Sequence, residues 1–356
     1  MTPARAALEA AGGQLVVGFD GEAVPEDLRR FVAEAAPAGV VLFGRNVRSL
    51  AQTAALLREL RALWPTDGPA PLLAVDQEGG PVRRLKAPDC PEVLQLPAAA
   101  ELASRGEPAL TEEAGRVLGV ELAAIGFNLD FAPVLDVDSN PANPIIGRRA
   151  FGKDARSVVE QALAFARGLG RAGILACGKH FPGHGDTAVD SHLTLPRLAH
   201  SLERLRAVEL VPFAAAVAAR LPALMTAHIV FEALDPVWPA TLSPRVLPEL
   251  LRGELGFDGV VFSDDLEMAA IAAHHDARAI AEQGRAATVD LFLACRDLER
   301  AAELRDALAR LGPSADAGRR VLTLRRAAAD HALEPAVSPL PERAAAAALA
   351  RRLASA

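Results

Sequence analysis

The chain has no tyrosine, only three cysteines, and just three lysines (Lys86, Lys153 and Lys179) among its 38 basic residues. Each scarcity removes a class of function. Cys90, Cys177 and Cys295 are odd in number, far apart and never in CxxC spacing. A disulfide framework and a cysteine-built zinc site are therefore not expected, and the thiols point to a reduced, cytoplasmic protein. The net charge of −7 offers no basic field for nucleic acid and no polybasic patch for a membrane. No run approaches the roughly 20 apolar residues of a membrane helix. The N-terminal MTPARAALEAAGG has one arginine and no long apolar core after it, so it does not read as a signal peptide. No GxGxxG follows the first strand candidate, which argues against a dinucleotide-binding fold.

What is present suits a globular protein with a sizeable core: 356 residues, 51% hydrophobic, enough for one large domain or two ordinary ones. Short β-rich runs alternate with long Ala/Leu/Arg helices. Strands are predicted at 14–19, 39–44, 71–75, 128–134, 173–177, 223–227, 259–263 and 290–294. Amphipathic helices are predicted at 49–63, 111–125, 156–171, 201–220, 243–255 and 297–311. Apolar strands separated by helices imply a parallel sheet covered on both faces. Eight of them in about 300 residues favour a closed (β/α)8 barrel of the TIM type over an open sheet. The expected organisation is a catalytic barrel over 1–312 and a helical C-terminal extension over 313–356 that packs on it. Residues 316–330 and the Ala-rich end of the chain read as its helices.

Chemistry on such a barrel sits on the loops after the C-terminal strand ends, and the unusual residues fall there. Asp76 ends the third predicted strand, Lys179 and His180 follow the fifth, His228 the sixth, and Asp264 and Asp265 the seventh. This ring of polar strand ends favours an enzyme over a structural barrel. The densest segment is KHFPGHGDTAVDSH, Lys179 to His192, with three of the eight histidines. A metal reading takes His180 and His184 with Asp186, Asp190 or His192. HxxxH spacing makes a shared ligand face only on a helix, which Pro182, Gly183 and Gly185 prevent. A solvated polar loop is the bland alternative. The spacing favours acid/base chemistry by Asp190-Ser191-His192: residues two apart in an extended segment share a side, so the carboxylate can fix the imidazole tautomer. Gly183 and Gly185 supply hinges for closure over a substrate. Asp264, at a rigid strand end, is the candidate nucleophile, and Asp265 reads as a cap on the following helix. Lys179, in a chain that writes nearly every cation as arginine, fits a need for a compact charge beside His180, with chance as the alternative.

These motifs together resemble the β-N-acetylhexosaminidases of glycoside hydrolase family 3, of the single-domain bacterial kind that recycles peptidoglycan. The resemblance runs over about residues 12–310, through LFGRN (42–46), DQEGG (76–80) with Arg84, NPIIGRRAFG (143–152), the 179–192 segment, MTAHI (225–229), PATLSP (239–244) and GFDGVVFSDDLEM (256–268). It implies Asp264 as nucleophile, His192 as acid/base and Asp190 as its partner. It implies Asp76, Arg84, Arg149, Lys179 and His180 as ligands of N-acetylglucosamine. The implied reaction is retaining hydrolysis through a glycosyl-aspartate, with no metal or organic cofactor. The implied partner is a small carbohydrate, a muropeptide, and neither nucleic acid nor membrane; a monomer is expected. Pro81 after DQEGG and the missing glycine in AATVD (286–290) depart from the family pattern, away from the catalytic positions. Rival readings are an N-acetylglucosaminide phosphorylase, a β-glucosidase, a metal-dependent hydrolase and a sugar-binding barrel without catalysis.

Overall fold

The computed structural model describes residues 3–188, 194–330, 340 and 342–354. Eight parallel strands close into a barrel: β1 (Leu15–Val17), β2 (Gly39–Leu42), β3 (Leu72–Val75), β4 (Leu129–Asp130), β5 (Leu175–Phe181), β6 (Ala223–Thr226), β7 (Val260–Asp265) and β8 (Leu291–Ala294). Each pairs with its sequence neighbours, and β1 with β8 completes the ring. Strands buried on both faces must be apolar throughout, which explains runs such as Val16-Val17, Leu72-Leu73 and Val260-Val261. The barrel interior is filled by Val16, Leu72, Leu129, Met225, Phe262 and their neighbours. Phe131 and Phe262 meet edge to face at 5.3 Å between ring centres.

All eight predicted strands are present, and their bounds differ where local chemistry misleads. The fifth runs four residues past Cys177, to Phe181. Gly178 reads as a loop residue, but its missing side chain makes room: a Cβ there would lie 2.5 Å from a methyl of Leu135 and 2.9 Å from one of Leu221. The fourth shrinks to two residues, with one further bridge between Val134 and Lys179.

The outer helices carry their own stop and start signals. Ser49 caps Leu50–Arg61, Asp154 caps Ala155–Arg171 and Asp297 caps Leu298–Arg310 by accepting backbone N–H bonds. Two helical expectations need correction. The helix predicted over 201–220 is two, Leu202–Ala207 and Leu210–Ala218. The segment predicted as a helix at 243–255 is a π-helix, Arg245–Glu254, with Pro248 inside it. Helices Glu26–Ala35 and Ala277–Ala286 were not foreseen. The first shows Leu28, Phe31, Val32 and Ala35 on its buried face, which is the spacing that betrays a helix. No helix among the described residues is long and apolar enough to cross a membrane.

After the barrel, helix Ala315–Asp330 lies across the N-terminal ends of the strands. Val321, Leu324 and Ala328 pack into the interior cluster from below. Helix Arg343–Ala354 rests on Pro108–Ile125.

Candidate active site

The C-terminal ends of the strands enclose a cavity of about 340 Å³. Six of the predicted site residues line it: Asp76, Arg84, Arg149, Lys179, His180 and Asp264. Asp190 and His192 lie outside the described residues. A larger cavity of about 520 Å³ sits beside His274 and His275. It contains none of these groups, so the smaller one is the candidate site.

The wall of the cavity is an alternating chain of charges. Arg149 holds Glu78 through two bonds of 2.9 and 2.8 Å. Lys179 Nζ bridges Glu78 at 2.6 Å and Asp76 at 2.7 Å, and Arg84 binds the other oxygen of Asp76 at 2.9 Å. The Lys179 side chain is only 3% exposed, and a single-atom cation is the group that fits between two carboxylates. Burial alone would raise the carboxyl pKa values. The charges of Lys179 and Arg84 outweigh it at Asp76 and hold that group well below its usual range. At Glu78 burial is likewise overcome by Arg149 and Lys179, giving about 2. Burial depresses Lys179, but Asp76 and Glu78 more than restore it, so the ammonium stays charged.

His180 is oriented from behind by Asp136, whose Oδ2 lies 2.7 Å from Nδ1. The other oxygen of Asp136 accepts the backbone N–H groups of His180 and His184, at 3.1 and 2.7 Å. Both histidines therefore hang on one buried carboxylate. Burial would raise Asp136, but His180 brings it below its ordinary value. His184 sets its Nδ1 3.0 Å from Thr187 Oγ1, and burial and His180 push it down to about 4, so it is neutral.

Asp264 points into the cavity from the end of β7. Its Oδ1 accepts the N–H of Asp265 at 2.8 Å. Burial opposes its ionisation, yet His228 and His180 hold it below the usual carboxylate range. His228 is itself fixed from both sides. Its Nε2 faces the carbonyl of Asp265 at 2.9 Å and must donate there, while Nδ1 meets Thr241 Oγ1 at 2.8 Å. The neighbouring Asp265 differs from expectation. It caps no helix: its Oδ1 accepts the N–H groups of Glu267 and Cys295, tying β7 to the end of β8, and burial raises it to about 6.

Sequence reasoning missed Glu78, Asp136 and the role of His228. Glu78 carried a signal, since it stands two residues from Asp76 in an extended segment and so shares its side. Asp136 carried none, because its partner is 44 residues away. The alternative metal reading of His180 and His184 loses two of its donor atoms, as the Nδ1 atoms turn to Asp136 and Thr187.

Every cation in the described wall is matched to a carboxylate. The five-membered chain carries one net positive charge, and ionised Asp264 cancels it. Such a cavity suits a neutral, many-hydroxyl ligand that exchanges hydrogen bonds with charged groups, facing a carboxylate held ready as an anion.

Residues 7–324 match the family model of the glycosyl hydrolase family 3 N-terminal domain. The chain is 42% identical over 286 residues to a β-hexosaminidase of Pseudomonas aeruginosa, covering 80% of this chain and 83% of the relative. Among solved structures it resembles a glycoside hydrolase family 3 β-N-acetylglucosaminidase from Paenibacillus, with a TM-score of 0.90 and 36% identity over 99% of this chain and 68% of that one. It also resembles NagZ from Neisseria gonorrhoeae in complex with N-trifluoroacetyl-D-glucosamine, with a TM-score of 0.82 and 32% identity over 96% of this chain and 98% of that one.

Proposed function

The chain belongs to glycosyl hydrolase family 3, and from that premise we infer the reaction its cavity performs. It is a glycoside hydrolase of the β-N-acetylhexosaminidase kind, and its substrate carries a terminal, non-reducing β-linked N-acetylglucosamine. Our proposal is that the natural substrate is a peptidoglycan fragment, cleaved in the cytoplasm by a monomer. The three buried free thiols support the compartment.

The observation that carries the reading is Asp264: a half-buried carboxylate lining the cavity and kept ionised beside a wall of paired charges. In the proposed mechanism, Asp76, Arg84, Arg149, Lys179 and His180 hold the sugar. An Asp264 oxygen attacks the anomeric carbon as the bond to the leaving oxygen breaks, and His192, oriented by Asp190, gives that oxygen its proton. Water then attacks the glycosyl-aspartate, His192 takes the water's proton, and the bond to Asp264 breaks. Two displacements retain the configuration.

The test joins three readouts. Asp264→Asn should fold and lose nearly all turnover, a fluorinated slow substrate should label Asp264 in the wild type, and the first-formed sugar should be the β anomer. An α product sinks the mechanism. His192→Ala should cost roughly 10²- to 10⁴-fold with a poor leaving group and far less with an activated aryl one. Equal losses would make His192 a binding residue only. An aryl glucoside should turn over much more slowly than the aryl N-acetylglucosaminide; the reverse would indicate a β-glucosidase.

Phosphorolysis is the competing outcome. A neutral imidazole does not repel phosphate as a carboxylate would, by about 4 kcal/mol for unit charges 4 Å apart at an effective dielectric of 20. The paired state of every described wall cation works against phosphate capture, so water should be the main acceptor. Phosphorus NMR in millimolar phosphate decides this, since early dominance of N-acetylglucosamine 1-phosphate would mean a phosphorylase.

A further inference from the structure

A second cluster of titratable groups contains no residue of the cavity lining. Asp186, His200 and Glu209 each present a ligand atom, all within 4.8 Å of one another. Asp186 precedes Asp190 by four residues, His200 follows His192 by eight, and Glu209 begins helix Leu210–Ala218. Asp186 Oδ2 is bonded to His200 Nε2. Glu209 lies under the backbone of Gly183, where a Cβ would come within 2.9 Å of the Glu209 Cβ. Its side chain is 1% exposed. Arg204 takes only one of its oxygens, Oε1, at 2.9 Å; Oε2 is buried with no partner among the described residues. A buried carboxylate oxygen left unpaired costs stability and calls for an occupant.

We propose that Asp186, His200 and Glu209 form a site for a divalent transition cation of the zinc type. The donor set is one imidazole nitrogen and two carboxylate oxygens, with room for a water as fourth ligand. Arg204, 3.9 Å from Asp186, already neutralises part of the charge. With a neutral imidazole the four side chains sum to −1, too little for a hard, oxygen-seeking cation such as calcium, which wants six or more oxygens. An imidazole donor instead selects zinc or its neighbours. Tetrahedral zinc needs its ligands about 3.4 Å apart, from bond lengths near 2.1 Å. Asp186 and His200 are 19% and 27% exposed in their side chains and can make that contraction by rotation, replacing their mutual hydrogen bond with bonds to the metal. A bound cation would join Glu209 to both flanks of the segment that carries Asp190 and His192. The reaction proposed above needs no metal, so this site takes no part in bond making.

Calorimetric titration of zinc chloride into the full chain, after exhaustive EDTA dialysis, tests the site. The wild type should bind one equivalent saturably, and His200→Ala and Asp186→Asn should each weaken it at least tenfold while unfolding at wild-type temperature. The double variant Asp190→Asn, His192→Ala should bind as the wild type does. X-ray absorption of the loaded protein should show one imidazole, oxygen ligands and no sulfur. Saturation absent below about 1 mM zinc overturns the proposal. Binding lost in the double variant and kept in His200→Ala also overturns it, placing the cation on the catalytic pair. None of these readouts uses turnover, so a failure of the hydrolase reading leaves the metal test intact.

Discussion

Asp130 shows how single residues bear the cost of this site. It sits on β4 beneath the charged wall, fully buried, with Oδ1 accepting the N–H of Gln77 at 2.9 Å and Oδ2 without a partner among the described residues. Burial raises its carboxyl to about 8, with Asp76 and Glu78 adding to the shift and Lys179 opposing it. At neutral pH it is therefore mostly the uncharged acid. A carboxyl whose folded value lies above its unfolded value binds more protons when folded, so its contribution falls as pH rises from about 4 and levels off above about 8. Asparagine imitates the protonated form and can keep the acceptor for Gln77. Asp130→Asn should raise the unfolding temperature at pH 9 and change it little at pH 5. Equal effects at both values, read by thermal denaturation, would mean that Asp130 is not the group titrating. Asp264 shows the opposite balance: there the imidazoles of His228 and His180 overcome burial, and the carboxylate stays an anion through the neutral range. A buried and a half-buried aspartate on strands of one barrel thus differ in charge because of what faces them.

At the scale of elements, the strand β5 and the turn after it carry Lys179, His180 and His184, and small residues set how closely they fit. Gly185 shows the tightest case: a Cβ there would lie 1.6 Å from the carbonyl oxygen of Val137, a backbone atom with no freedom to rotate away. Val137 adjoins Asp136, and Asp136 holds both His180 and His184. Gly185→Ala should therefore push the turn off the 136–138 segment and disturb His180 through its anchor. We expect at least a tenfold fall in kcat/KM with the protein still folded; unchanged kinetics would show that the turn relaxes without moving Asp136. The apolar strand runs and their helical spacers made the barrel legible, because burial on both faces leaves an unbroken hydrophobic signature. Polar residues at the ends of those runs made Asp76, Lys179, His180 and Asp264 legible in the same way, while Arg84 and Arg149 came from the family resemblance. What stayed hidden depends on contacts between distant segments. Nothing near Asp136 announces a partner at His180, and Gly178 looks like a break until Leu135, Leu221 and Leu224 are seen filling its side. The π-helix at 245–254 was read as ordinary because its apolar spacing, with Val246, Leu247, Leu250 and Leu251 buried, serves either helix.

On the whole-molecule scale the barrel has a working end and a closed end, and the chain after residue 312 serves the second. We propose the division at that point, with residues 313–356 as an extension whose helix Ala315–Asp330 seals the floor. Helix Ala315–Asp330 buries Val321, Leu324 and Ala328 against the barrel interior. Its arginines bond the residues that enter the strands: Arg320 reaches Asp290 at 3.2 Å and Asp258 at 3.0 Å, and Arg325 donates to the carbonyls of Ala70 and Pro69 at 2.9 and 2.6 Å. Losing the helix would leave the Asp290 carboxylate, 1% exposed, with Arg252 as its remaining cation, and would open the interior to water. Re-exposing one valine and one leucine costs about 3–6 kcal/mol, a large share of the about 5–15 kcal/mol that holds a domain together. An unfolding entropy of about 2.1 cal/mol/K per residue gives a chain of this length roughly 1.3–1.5 °C per kcal/mol, so a protein ending at Gly312 should unfold at least about 4 °C lower. The cavity lies at the opposite end of the strands, so turnover per folded molecule, measured well below that transition, should be close to that of the full chain. Leu324→Asp in the intact chain should lower the unfolding temperature in the same direction by placing an unpaired charge in the floor. If the shortened protein and Leu324→Asp both unfold where the full chain does, the helix covers the floor without supporting it.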